Sequence, residues 1–83
     1  MKITVRTSGL LDRYLPQGAQ DGTAAIEIAE GATVADVMAR LGMPGDGKYL
    51  VIANDATVRE AERAAHVLAD GDTLAIVPPL KGG

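Results

Sequence analysis

The chain has 83 residues, 47% of them apolar, and a formal net charge of −3. That length supports one domain with one core, burying only about 60–65% of the surface the unfolded chain exposes. The absence of Cys excludes a disulfide framework and a thiolate metal site, the single His66 assembles no ordinary zinc or iron site, and scattered Lys and Arg do not form the cation clusters that nucleic acid requires.

Lys2 to Ser8 alternates, with Ile3 and Val5 on one face and Lys2, Thr4 and Arg6 on the other, which predicts a first strand with one buried side. Gly9 to Thr23 contains Gly9, Gly18, Gly22 and Pro16, and the spacing of Leu10, Leu11, Tyr14 and Leu15 predicts a loop carrying a short helix. In Ala25-Ile26-Glu27-Ile28-Ala29 the two Ile side chains share a face opposite Glu27, so a second strand is expected, in a hairpin with the first. Thr33 then caps a helix and Asp36 sits in its first turn, where negative charge suits the helix dipole. The buried stripe is Val34, Val37, Met38 and Leu41, and Gly42 followed by Pro44 ends the helix.

Tyr49-Leu50-Val51-Ile52-Ala53 is a short continuous apolar run, read as a central strand buried on both sides or nearly so. Asn54-Asp55 after it tolerates the left-handed conformation of a tight turn. Val58 to Leu68 is open between a strand followed by a turn and a helix, since Arg59 to Ala65 favour helix by propensity. Ala69-Asp70-Gly71-Asp72 is a turn, and Thr73 to Val77 alternates again with Leu74 and Ile76 on one face. The order predicts an α+β domain over residues 1–83, a mixed four- to five-stranded sheet with one main helix on one face, and a flexible tail over residues 80–83. With Tyr14 and Tyr49 the only aromatic residues, the core is aliphatic.

No apolar run approaches the roughly 20 residues of a membrane span. The opening MKITVRTSG alternates instead of forming a charged head and an apolar stretch, so a soluble cytoplasmic protein is expected, with no membrane partner.

Three patterns invite a catalytic reading and fail on context. Gly42 to Lys48 has the spacing of a phosphate-binding loop, but it leaves a helix and enters a strand, and Tyr49 stands where a magnesium-binding hydroxyl belongs. His66 has no evident nucleophile or orienting carboxylate, and it reads as a partly buried surface residue. Asp70 and Asp72 are explained by their turn, and the run Arg59 to Arg63 by a solvated face of mixed charge.

The ending Pro78-Pro79-Leu80-Lys81-Gly82-Gly83 remains. Two glycines are also what a frayed tail would show, but these follow a strand and a stiff pair of prolines. Four residues from Leu80 extend about 13 Å at ~3.3 Å each, enough to enter a narrow active site. Gly82 and Gly83 lack side chains, so their backbone can approach catalytic groups closely. A carboxylate is a poor electrophile until its oxygen becomes a leaving group. The chain has no credible nucleotide site, so activation would come from another protein.

The order of elements, the Asp70-Gly71-Asp72 turn, the strand Leu74-Ala75-Ile76-Val77 and the ending Pro78-Pro79-Leu80-Lys81-Gly82-Gly83 resemble the MoaD/ThiS sulfur carriers, of ubiquitin-like β-grasp fold, over nearly the whole chain. The resemblance implies that Gly83 is adenylated by an E1-like adenylyltransferase of MoeB/ThiF type using ATP. A persulfide or sulfide donor then converts it to a thiocarboxylate, and the sulfur passes to a biosynthetic enzyme such as the large subunit of molybdopterin synthase. The carrier itself is a protein co-substrate, not an enzyme, and binds no cofactor. Expected partner contacts are Ala75, Val77, Pro79, Leu80 and Lys81, together with the segment Val58 to Leu68. The length and the Pro78-Pro79 ending look closer to the small subunit of molybdopterin synthase than to the thiamine carriers. Ala53-Asn54-Asp55 and Leu80-Lys81 depart from patterns common among such carriers, so the pathway stays open. A ubiquitin-like modifier, joined through Gly83 to a target Lys, would use the same activation, and a passive interaction module would not need the glycines at all.

Overall fold

A computed structural model describes residues 1–43 and 49–78, the side chain of Leu10 excepted. The chain runs through β1 (Lys2–Thr7), a 3-10 helix (Gly9–Tyr14), β2 (Thr23–Glu27), α1 (Val34–Arg40), β3 (Leu50–Ala53), β4 (Ala56–Val58), a second 3-10 helix (Glu60–Glu62) and β5 (Thr73–Val77). The strands form one mixed sheet in the order β2-β1-β5-β3-β4, and α1 lies across one face. β1 and β2 are antiparallel neighbours, as the alternation predicts.

The core is aliphatic. Ile3 and Val5 of β1, Ile26 of β2, Val51 of β3 and Leu74 and Ile76 of β5 meet Val34, Val37 and Met38 of α1, with Leu41 packed at the margin. The helix is short, so packing and caps hold it more than propensity does. Thr33 Oγ1 accepts from the Asp36 amide at 3.2 Å, and the Thr33 amide donates to Asp36 Oδ2 at 2.9 Å, a reciprocal capping box. Gly42, at φ +79°, follows the helix and Pro44 lies outside the described residues.

The open segment Val58 to Leu68 begins with the last residue of β4 and continues as the 3-10 helix Glu60–Glu62 and a turn, with no α-helix. Only Arg63 and Leu68 are buried between Arg59 and Leu68, so no apolar stripe exists to stabilise a longer helix. Instead the backbone serves α1: the carbonyls of His66 and Arg63 accept from the amides of Val34 and Ala35 at 3.1 and 3.0 Å. Arg63 corrects the reading of Arg59 to Arg63 as a solvated face. It is 4% exposed, and its Nη2 donates to the Tyr49 carbonyl at 3.0 Å, tying this connection to the start of β3. Its guanidinium finds a backbone acceptor that propensity and charge pattern do not reveal.

The second correction concerns β3. Its residues alternate, Val51 and Ala53 facing α1 while Leu50 is 40% exposed and Ile52 half-buried on the other side. The helix covers one face only, so a continuous apolar run here is half core and half surface.

The turn before β5 sets the register of the last strand. The Lys2 amide donates to Asp70 Oδ1 at 2.7 Å, the Gly71 amide to the Lys2 carbonyl at 2.8 Å, and the Thr4 amide to the Asp72 carbonyl at 2.9 Å. Asp72 Oδ2 accepts from the Ala69 amide at 2.8 Å, and Asn54 Oδ1 accepts from the Thr73 amide at 2.9 Å. Asn54 and Asp55, both at positive φ, form the two-residue turn joining β3 to β4. The last strand is thus locked between β1 and β3, and both aspartates act in the turn.

Candidate functional site

β5 occupies the middle of the sheet, parallel to β1 and antiparallel to β3. Leu74 and Ile76 are fully buried against α1, so Thr73, Ala75 and Val77 must face the uncovered side. The register completes that side: Val77 lies opposite Leu50, while Ala75 lies opposite Ile52 on β3 and Arg6 on β1. Leu50, Ile52, Ala75 and Val77 therefore make an apolar strip at the C-terminal end of β5. A contiguous apolar strip on an uncovered sheet face is a candidate surface for a partner to cover.

Pro78 follows Val77, is exposed, and lies beside Gly9, where an added Cβ would stand 3.8 Å from the proline Cγ. Pro78 lacks an amide hydrogen, so it cannot donate to a continued ladder, and β5, the middle strand, ends at Val77. The 3-10 helix carrying Arg13 and Tyr14 packs against β5. Arg13 Nη2 donates to Tyr14 Oη at 3.2 Å, and the guanidinium lies 5.1 Å from the ring centroid. That hydrogen bond, with the positive charge, holds the Tyr14 phenol below its ordinary value. Tyr49, which precedes Leu50, has its phenol pushed up chiefly by loss of solvent.

Of the expected contact residues, Ala75 and Val77 share the uncovered face. The segment from Arg59 to Leu68 does not join them, because its backbone bonds place it in the layer of α1. Pro79, Leu80, Lys81, Gly82 and Gly83 lie outside the described residues, as does most of the Gly42 to Lys48 loop. Leu50, Ile52 and Arg6 belong to this surface and were not expected from the sequence. The alternation Leu50, Ile52 against Val51, Ala53 was the available signal, hidden because every residue in the run is apolar. Among the described residues no helix is long and apolar enough to cross a membrane.

Solved structures with this fold carry different names. Small archaeal modifier protein SAMP1 from Haloferax volcanii matches with a TM-score of 0.70 at 23% identity, both chains covered fully. The thiamine biosynthesis protein ThiS from Geobacter metallireducens matches with a TM-score of 0.68 at 18% identity, again over all of both chains. A complex of subunits 1 and 2 of the molybdopterin-converting factor from Helicobacter pylori supplies a third, with a TM-score of 0.62, 20% identity and full coverage of both chains. At such identities these likenesses establish the ubiquitin-like β-grasp fold. No curated protein matches the sequence. The profile of the ThiS family, however, matches residues 15–83, which spans the helix, the Asp70-Gly71-Asp72 turn, β5 and the closing glycines. The chain belongs to the ThiS family of small ubiquitin-like sulfur carriers.

Proposed function

We propose that this protein carries sulfur on the carboxylate of Gly83. The observation that carries the reading is the family match, which continues past the last strand to Gly83 itself. An E1-like adenylyltransferase of MoeB/ThiF type would dock on the strip of Leu50, Ile52, Ala75 and Val77 and take Pro79 to Gly83 into its active site. The Gly83 carboxylate attacks the α-phosphorus of ATP and displaces pyrophosphate. A hydrosulfide then displaces AMP from the acyl-adenylate and leaves a thiocarboxylate. With a persulfide donor the first product is an acyl disulfide, which a second thiol cleaves to the same thiocarboxylate. The carrier's contribution is presentation: a locked strand, a proline at the exit, and terminal residues without side chains. It supplies no catalytic group and holds no cofactor.

For the acceptor we propose the large subunit of a molybdopterin synthase, acting in molybdenum cofactor biosynthesis in the cytoplasm. Support comes from the Pro78-Pro79 pair after the last strand and the fold shared with a subunit of the Helicobacter pylori complex. A thiamine-type carrier shares the same activation, and so does a protein modifier.

The direct test of activation is ATP–pyrophosphate exchange by the organism's ThiF-type enzyme. The full chain supports exchange and the chain lacking Gly83 does not; equal exchange with both would remove the proposal. Complementation separates the pathways. Restored molybdoenzyme activity in a strain lacking the small synthase subunit supports the assignment, whereas growth without thiamine in a strain lacking only its thiamine carrier redirects it. A Gly83-dependent ladder of conjugates on blots would favour the modifier.

A further inference from the structure

Across the uncovered face one row reads Thr23, Arg6, Ala75, Ile52 and Thr57, set by the pairing of all five strands. Arg6 is the sole charge in that row. It is exposed and borders the apolar strip. Lys2, the other cation of β1 on this side, has Glu27 directly opposite on β2; Arg6 has Thr23 there instead. Arg6 makes no ion pair among the described residues, in a chain whose net charge is negative. It also borders a notch of about 310 Å³ shared with Ile52, Asn54, Asp55, Thr73 and Ala75.

A partner that covers Ala75 and Ile52 must also desolvate the guanidinium beside them. Burying an arginine without a counter-charge is unfavourable and works against the gain from covering the strip. Within the notch Arg6 has no ion-pair partner among the described residues. The Asn54 side-chain oxygen is already committed to the Thr73 amide, and Asp55 does not reach Arg6 in an ion pair. A carboxylate on the partner would supply the counter-charge.

We infer that Arg6 is a specificity-determining residue of this face, and that the protein docking here presents an Asp or Glu carboxylate flanked by aliphatic side chains, the carboxylate to Arg6 and the aliphatic groups to Leu50, Ile52, Ala75 and Val77. The inference rests on the carrier reading for the identity of that partner, the activating enzyme. The planar guanidinium favours a two-point bond to the carboxylate, so lysine is an incomplete substitute.

The test is calorimetric binding of the full-length carrier to the organism's ThiF-type enzyme, using Arg6→Ala, Arg6→Lys and Arg6→Glu, with adenylation followed in parallel. Arg6 is exposed, so unchanged thermal unfolding of each variant confirms that the fold is intact. Arg6→Ala is expected to weaken binding about 30-fold and Arg6→Glu more, by the usual loss when one member of a desolvated charge pair is removed. Arg6→Lys falls between, and a Lys placed at the facing carboxylate of the enzyme restores Arg6→Glu. If the wild-type chain is adenylated and all three variants bind within about threefold of it, the Arg6 inference is wrong and the carrier reading stands. If the wild-type chain is not adenylated at all, the carrier reading itself fails.

Discussion

Leu50 offers the cleanest separation of docking from folding. It is a strand residue 40% exposed on the face that α1 leaves uncovered, opposite Val77 at the C-terminal end of β5. Full burial of a leucine side chain is worth about 1.5–3 kcal/mol. With 40% still exposed, a partner covering the remainder gains about 0.6–1.2 kcal/mol from this side chain alone. Leu50→Ala should therefore weaken binding to the proposed activating enzyme by roughly three- to eightfold. Leu50→Asp should weaken it by about 30-fold or more, because the complex must then bury an unpaired carboxylate. Val67 is the internal control: it is 61% exposed, the other large exposed apolar residue among those described, and it pairs with Thr33 in the layer of α1. Val67→Asp should leave affinity within about twofold. Titration calorimetry of the four proteins, each checked for an unchanged thermal transition, measures the difference. Equal weakening by Leu50→Asp and Val67→Asp would show that docking does not use the uncovered face.

Substitutions at three further positions probe the frame that holds this face. A Cβ at Gly22 would stand 2.6 Å from the Thr7 carbonyl oxygen at a φ of +69°, so Gly22→Ala should cost about 3 kcal/mol in urea unfolding; a loss below about 1 kcal/mol would show that the β1–β2 connection relaxes freely. Thr33→Ala removes one half of the capping box and should cost about 1 kcal/mol, with Thr33→Ser recovering most of it. The Asp72 carboxyl is held below its ordinary value, first by the Ala69 amide and then by Asn54. A depressed folded-state value means stability that is present above the unfolded value of about 4 and is lost as pH falls through the folded one. The urea midpoint of Asp72→Asn should thus lie below wild type at neutral pH and converge with it in acid, and a constant offset across that range would contradict the assignment.

Much of this fold is legible in the sequence because its local rules agree. β1 and β2 alternate cleanly, Thr33 and Asp36 announce the helix, and Asn54-Asp55 and Asp70-Gly71-Asp72 mark turns by residue types that tolerate or stabilise them. What escaped depends on contacts distant along the chain. Arg63 has helix-favouring, charged neighbours, yet it is buried because the Tyr49 carbonyl lies within reach across the fold. The run Tyr49 to Ala53 mixes core with surface, and an apolar docking strip has the same composition as a core strand. The parallel pairing of β1 with β5 joins the two ends of the domain and has no local signature. Arg6 reads as an ordinary polar-face residue until that pairing sets it beside Ala75. The proposed reactive terminus, by contrast, rests on the sequence alone, on the order of Pro78 to Gly83.

The most direct test of the account is the intact mass of the full-length protein after incubation with a ThiF-type enzyme from the same organism, ATP and a sulfide donor. The account predicts a gain equal to replacement of one oxygen by sulfur, confined to a C-terminal fragment containing Gly83 and absent when ATP is withheld. An unchanged mass under conditions in which the enzyme activates another carrier, or the sulfur on any other residue, would contradict it.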